Sequence, residues 1–291
     1  MISSILIQIL SGLSMAMVLF IVAAGLCLIF GTLKVLNFAH GSFFMLGAYL
    51  CLTVVTILPN NPLSFWIALF FSTLVVGLIG GIIEVLIFRR IYTLDHIFQL
   101  ILSFALILIF TDIVKLIWSP QVHSIVTPWP LRGYISILDR IFPLYNIFLI
   151  IVGPLIFISL LALINKTSLG RVIRAVTFSN EMAGALGHNV SMIYTMIFML
   201  GCALAGMGGV LITPLIGATP GMDMTAIIDC FVIIVIGGMG SYGGAFLASI
   251  ILGLVNAFGI LIIPKIALVF GFLLMAIVLI FRPWGLMGRQ E

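Results

Sequence analysis

Nine apolar runs, separated by short polar stretches, constrain this chain more than any single motif. They cover Ile5–Gly31, Val35–Leu58, Leu63–Phe88, Ile97–Trp118, Leu144–Ile164, Ile193–Ile216, Thr225–Ile236, Ala245–Ile263 and Ile266–Phe281. A helix of about 20 apolar residues crosses the ~30 Å hydrocarbon core of a bilayer. Backbone N–H and C=O groups in that core must pair within the protein, so runs of this kind fold as helices. Composition agrees: 64% of residues are hydrophobic and 7% charged, against roughly 25% charged in a soluble domain. The predicted fold is all-α, a polytopic transmembrane bundle of about 8–9 spans that includes broken or re-entrant helices. The run Thr225–Ile236 is short and meets the glycine-rich Gly237–Gly244 directly, so a helix interrupted there is expected. Residues 1–291 read as one transmembrane domain with no folded extramembrane unit, and the N-terminal run, lacking a basic flank, reads as the first span.

The formal net charge of +4 is topological information, because basic residues concentrate in cytoplasmic loops. With alternate loops on alternate sides, Lys34, Arg89, Arg90, Lys166, Arg171, Arg174, Arg282 and Arg289 fall on one side. Lys115, Arg132, Arg140 and Lys265 fall on the other. Eight against four of the 12 basic residues predicts a cytoplasmic first group, an external N-terminus and a cytoplasmic C-terminus. Cys27, Cys51, Cys202 and Cys230 lie inside apolar runs without metal or redox spacing and read as small buried side chains. Among charges within the spans, Glu84 precedes Arg89 and Arg90 closely enough to pair, and Asp112 and Lys115 are placed for a local ion pair. Asp229 has no basic residue near it in sequence. A carboxylate within the membrane costs about 2.5 kcal/mol or more and usually faces a cavity or a partner. Its plainer reading is a hydrated acid near the outer surface.

Two segments interrupt the apolar pattern with small and polar residues before a helix resumes. One is Asn37-Phe38-Ala39-His40-Gly41-Ser42; the other is Gly237-Gly238-Met239-Gly240-Ser241 through Gly244. Transporters place such broken helices around their substrate path, which makes Asn37, His40, Gly41, Ser42, Gly237, Gly238, Gly240 and Ser241 candidate pathway residues, with Asp229 beside them. Tight helix packing through small residues is the alternative for each glycine. A third feature is the polar stretch Thr167–Ser191, about 166–192 with its flanks, on the side assigned as cytoplasmic. It is either a solvated loop or a short basic helix that presses on a soluble partner. No P-loop is present, so the chain has no such ATP site of its own. Metalloprotease, CxxC and GxSxG patterns are absent, as are a channel filter signature and the Arg/Lys ladder of a voltage sensor.

Taken in order, Asn37-Phe38-Ala39-His40-Gly41, the block Gly170-Arg171-Val172-Ile173-Arg174-Ala175 leading through Asn180, Ala183 and Leu186-Gly187, then Gly237-Gly238-Met239-Gly240-Ser241 with Gly244-Ala245, and the closing Arg282-Pro283-Trp284-Gly285-Leu286 carry a family resemblance. The chain resembles the permease subunits of branched-chain amino acid ABC importers, with their urea and amide relatives, over nearly its whole length. The resemblance implies a membrane permease without enzymatic activity, working by alternating access in a bacterial inner membrane. It implies that Glu181, Ala183 and Gly187, within the segment from Gly170, Arg171 and Arg174 through Asn180, form the coupling loop that docks on an ATPase subunit. The implied partners are a second permease chain (a paralogue or another copy), two ATPase chains that bind ATP and Mg, and an extracytoplasmic binding protein. No cofactor is expected in this chain and no nucleic acid among its partners. One departure concerns the substrate. Eight positions before the paired glycines, amino-acid members commonly carry Lys and some urea-type relatives an acid; here it is Asp229. A urea, amide or small-carboxylate importer therefore stands as an alternative to a branched-chain or other small neutral amino acid importer. An ion-coupled secondary transporter using Asp229 is the alternative from another class.

Overall fold

The computed structural model describes residues 2–59, 61–92, 94–137, 139–264 and 267–288; Lys265, Ile266 and Arg289 lie outside them. Among the described residues the chain forms α1 (Ile2–Leu33), α2 (His40–Ile57), α3 (Ser64–Leu86), α4 (His96–Trp118), α5 (Leu144–Lys166), α6 (Ser168–Phe178), α7 (Asn180–Ala185), α8 (Val190–Ile216), α9 (Met222–Gly237), α10 (Tyr242–Ile262) and α11 (Ala267–Phe281). Among the described residues seven helices are long and apolar enough to cross a membrane, which makes the fold an all-α polytopic bundle. The remaining two apolar runs give shorter helices, α9 with 16 residues and α11 with 15. An antiparallel hairpin, β1 (Tyr134–Ile137) with β2 (Arg140–Pro143), adds to the long loop between α4 and α5.

Helix α1 is the axis of the bundle and packs on α5, α8, α9 and α10. Lipid tails are as apolar as leucine, so helix association in a bilayer depends on close packing, which small residues permit. Gly25 of α1 meets Gly201 of α8, Gly12 meets Gly253 of α10, and Gly47 of α2 meets Gly206 of α8; at each crossing a Cβ would collide with the neighbouring helix. The long apolar side chains on α3, α4 and α5 instead point outward, as Phe70, Leu116 and Ile158 do.

Contacts tie the loops into two opposite ends. At one end, Gly31 lies against Gly240, Gly285 against Gly238, and Arg89 reaches Ser191 and Thr195. At the other, Arg140 donates to Ser4 and Trp66 to the Trp129 carbonyl, while His123 and Ala218 exchange backbone hydrogen bonds of 3.0 and 2.7 Å.

The second apolar run departs from the sequence expectation. Val35–Ala39 is not helical, and α2 begins only at His40. His40 Nε2 donates to the Val22 carbonyl at 3.0 Å, so α2 starts beside the middle of α1 rather than at its end. From Val22 to Lys34 is about 18 Å along a helix at 1.5 Å per residue. The six residues 34–39 can retrace up to ~20 Å when extended. Irregular backbone at membrane depth is tolerated where protein buries it, and Val35, Asn37 and Ala39 are buried here.

Candidate functional site

The starts of α2 and α9 meet inside the bundle. Chain reversal at Gly217–Gly221 lets α9 open at Met222 beside the first turn of α2. Gly217 and Gly221 have φ of +78° and +93°, a region that side chains disfavour. A Cβ on Gly41 would collide with the Asp223 carbonyl oxygen, which fixes how closely the two helix starts approach.

A polar cluster occupies this meeting point. Asp223 is 1% exposed. Its Oδ2 accepts from Ser42 Oγ at 3.3 Å and from Thr111 Oγ1 of α4 at 3.0 Å. One carboxylate thus joins α2, α4 and α9. Its Oδ1 has no partner among the described residues, and neither do both side-chain polar atoms of Asn37 nor Nδ1 of His40. Buried polar atoms left unpaired cost on the order of 1–3 kcal/mol each, so such a concentration calls for an explanation.

Asp223 is the residue that sequence reasoning missed. Lying just before the run that starts at Thr225, it reads as an interfacial acid. The available signal was Pro220-Gly221 ahead of an acid and an apolar run, which is a helix-start pattern. Asp229, singled out instead, sits half-buried 6 positions further along α9. Gly41 and Ser42 are in the cluster with Asp223, and Asn37 and His40 lie on the segment leading into it. Gly237, Gly238, Gly240 and Ser241 are elsewhere. They form the turn between α9 and α10 at the Lys34 end, where Gly237 packs backbone to backbone on Gly244. Ser241 caps α10 by accepting from the Gly244 N–H at 3.1 Å. The C-terminal segment closes over this turn, with Leu286 N–H donating to Ile236 O at 2.7 Å and Met287 N–H to Gly237 O at 3.0 Å.

The other buried acid, Glu84, is fully paired. Arg89 Nη2 meets Oε2 at 3.0 Å, Thr195 Oγ1 donates to Oε2 at 2.8 Å and Tyr92 OH to Oε1 at 3.0 Å. Burial, then the adjacent carboxylate, pushes the Tyr92 hydroxyl well above its ordinary value, so it remains a donor. This network binds the end of α3 to the first turns of α8. Asp112 and Lys115 also pair, at 3.2 Å, but in an exposed position.

The polar stretch folds as α6 and α7. Thr167, Ser179 and Asn189 cap α6, α7 and α8 by accepting from the N–H groups of Gly170, Met182 and Met192. Gly170, Ile173 and Val176 face the bundle, and Ile173 joins Leu28, Ile164 and Ile197 in a small core. Arg174 is bound to the Ile164 carbonyl at the end of α5, while Arg171, Asn180, Glu181 and Gly187 are exposed and Ala183 is buried. Three large apolar side chains on the outer face remain uncovered: Phe178 at 89%, Met182 at 60% and Leu186 at 72% exposure.

Comparison with known proteins places this geometry in context. The family model described as the branched-chain amino acid transport system permease component matches residues 8–280. The high-affinity branched-chain amino acid transport system permease protein BraD of Pseudomonas aeruginosa is 30% identical, covering 98% of this chain and 96% of that protein. The corresponding protein LivH of Escherichia coli K12 is 24% identical over 98% of this chain and 96% of its own length. Among solved structures, PsaBC from Streptococcus pneumoniae in complex with Fab is similar in fold, with a TM-score of 0.53, 13% identity and coverage of 96% of this chain and 95% of that chain.

Proposed function

The chain belongs to the branched-chain amino acid transport permease family, and on that premise we propose that it is the membrane-spanning subunit of an ATP-driven importer for branched-chain or other small neutral amino acids. The observation that carries the reading is a match to permeases of that named transport system through nearly every span. The chain is a multi-pass membrane protein, and a bacterial inner membrane is its proposed location. The basic residues gathered at the Lys34 end support placing that end, and the C-terminus, in the cytoplasm.

ATP coupling is supported by the α6–α7 unit. Phe178, Met182 and Leu186 present an apolar patch beside Glu181 outside the spans; an ATPase subunit is its proposed cover. The unit rests on α1, α5 and α8 through Ile173, so its displacement would reach the helices that carry the α2 and α9 starts. Alternating access would then open and close the bundle around those starts. ATP and Mg would be held by two ATPase subunits, and substrate would be delivered by an external binding protein to this chain and a second permease chain. Asn37, His40, Gly41, Ser42 and Asp229 remain proposed pathway residues. Gly237, Gly238, Gly240 and Ser241 fit a supporting role at the inner end of the path.

Asp229 in place of a common Lys favours a second reading, a urea or amide importer of the same design. Reconstitution with the ATPases and a binding protein decides between them. Leucine uptake that requires ATP hydrolysis and persists with a proton uncoupler is expected. Uptake that collapses with the uncoupler at constant ATP would point to a secondary transporter, and uptake of urea without leucine to the second reading.

A further inference from the structure

We propose that the groove between the end of α3 and the start of α8 binds an anionic phospholipid of the bilayer, with the phosphate held at the membrane edge and an acyl chain laid along three methionines. Such a site would serve whichever solute the protein carries.

The arginines set the level of the groove in the bilayer. Arg89 and Arg90 end the apolar stretch Ser64–Arg90, which has 27 residues, and α8 has 27 as well. At 1.5 Å per residue each runs about 40 Å, longer than the ~30 Å hydrocarbon core, so both reach into a headgroup layer. Charged side chains are costly in hydrocarbon, which puts Arg89 and Arg90 in that layer. Arg89 Nη2 donates to the Ser191 carbonyl at 3.4 Å and to Thr195 Oγ1 at 2.5 Å, so the first turns of α8 stand at the same level.

Arg89, Asn189 and Ser191 line the polar end of the groove, whose volume is ≈ 450 Å³, and among the described residues no acid lines it. Arg89 donates through Nε and Nη2, and among the described residues Nη1 is left unbonded. Glu84 balances the charge of Arg89. Arg90 supplies the surplus, being exposed and paired with no acid among the described residues. Asn189 spends Oδ1 on the Met192 N–H at 3.1 Å, which leaves its amide nitrogen to donate. Donors and positive charge with no lining acid suit a phosphate, and guanidinium groups bind phosphate oxygens strongly. Met192, Met196 and Met199 continue the groove along one face of α8. Met192 and Met196 are exposed, and Met199 packs on Gly81 of α3. Met196 and Met199 lie about 8 and 12 Å beyond Ser191 along the helix, which carries them to the hydrocarbon edge. Flexible thioether side chains mould to irregular apolar partners, as a mobile acyl chain is. A soluble anion would use only the polar end, and a neutral lipid only the methionines. A protein subunit docking from the aqueous side would meet the polar end and leave the methionines uncovered.

The test is native mass spectrometry of the full chain, purified with its partner subunits and titrated with dioleoyl-phosphatidylglycerol or dioleoyl-phosphatidylcholine. The first phosphatidylglycerol should bind at least about tenfold more tightly than phosphatidylcholine, the worth of one charge-assisted hydrogen bond. Two variants oppose the phosphate without disturbing the helix start. Asn189→Asp keeps the cap of α8, since Asp caps as well as Asn, and replaces the donor by a negative charge. Ser191→Glu puts an acid in the first turn of α8, which helices favour. Each should abolish the preference for phosphatidylglycerol while phosphatidylcholine binding and apparent Tm stay at wild-type values; if one fails to assemble, the other carries the readout. Met196→Trp should fill the groove and weaken both lipids. Inorganic phosphate at millimolar concentration should not displace phosphatidylglycerol. Equal affinity for the two lipids would overturn the proposal, as would a preference retained in the charge variants. Displacement by inorganic phosphate would make the site one for a soluble anion. Phosphatidylglycerol binding that appears only when the partner subunits are removed would show that protein, not lipid, covers the groove.

Discussion

The chain reverses through Gly and polar residues in two places that look alike in sequence and differ in the folded protein. At Asn37–Ser42 the reversal lies beside the middle of α1, and it brings a helix start against Asp223 with several polar atoms unpaired. At Gly237–Gly244 it lies at the end of α1, beside Gly31, and its backbone is hydrogen-bonded to the C-terminal segment. The first keeps buried hydrogen-bonding capacity unused, whereas the second uses it for packing and closure. Glycine content alone therefore does not tell such reversals apart; depth along the neighbouring helix and unpaired polar groups do.

The largest expected effect tests the second reversal. Gly237→Val places a branched side chain where the Gly244 backbone already lies, so no folded, monodisperse protein should be recovered by size-exclusion chromatography of a fluorescent fusion. Recovery of folded protein would show that the turn is looser than its geometry. Gly41→Ala tests the first reversal. The added methyl would meet the Asp223 carbonyl oxygen, costing about 1–3 kcal/mol as overpacking, read as a fall in apparent Tm with reduced uptake. An unchanged Tm would mean that α2 and α9 part easily at this point.

Ending the chain after Arg282 removes the hydrogen bonds from Leu286 and Met287 to Ile236 and Gly237. At about 1 kcal/mol for each, the loss should lower apparent Tm while folded, monodisperse protein is still recovered by size-exclusion chromatography. Thiol labelling separates the two sites directly. In a cysteine-free background Ser241→Cys should label at least about tenfold faster than Ser42→Cys in the resting state, since Ser42 is buried and Ser241 is not; tenfold corresponds to about 1.4 kcal/mol. Labelling of Ser42→Cys should rise during ATP turnover, and equal rates in all states would remove the distinction. The smallest effect belongs to Asp229→Asn. Half-buried and outside the Ser42–Thr111 cluster, it should leave folded protein recoverable with an apparent Tm no lower than wild type, and shift only the preference between leucine and urea in ATP-driven uptake.

The bundle was legible in the sequence because bilayer helices satisfy their own backbones and present apolar side chains all round, so each span declares itself locally. The Glu84–Arg89 and Asp112–Lys115 pairs were legible for the same reason, as partners lie within five residues. Asn37, His40 and Ser42 stood out as polar groups inside an apolar run. Asp223 did not, because a polar residue at the edge of such a run looks the same whether the helix begins at the surface or at depth. Its partners Ser42 and Thr111 are 181 and 112 positions away, and no local pattern encodes them. Within the segment that the resemblance implied as the coupling loop, the fold turns Ala183 inward and leaves Phe178, Met182 and Leu186 outside, a division set by how α6 and α7 pack on the bundle.

By itself, then, the sequence determined a polytopic helical bundle and the division of charge between its ends, since each follows from residue chemistry along one helix or loop, and its motifs taken in order carried the resemblance to the family. The tertiary structure decided how far α2 and α9 begin inside the bundle, which acid is left with an unspent oxygen, and which glycines meet backbone to backbone. Those features depend on close approach between helices distant in the chain, and that approach is set by packing across the whole bundle.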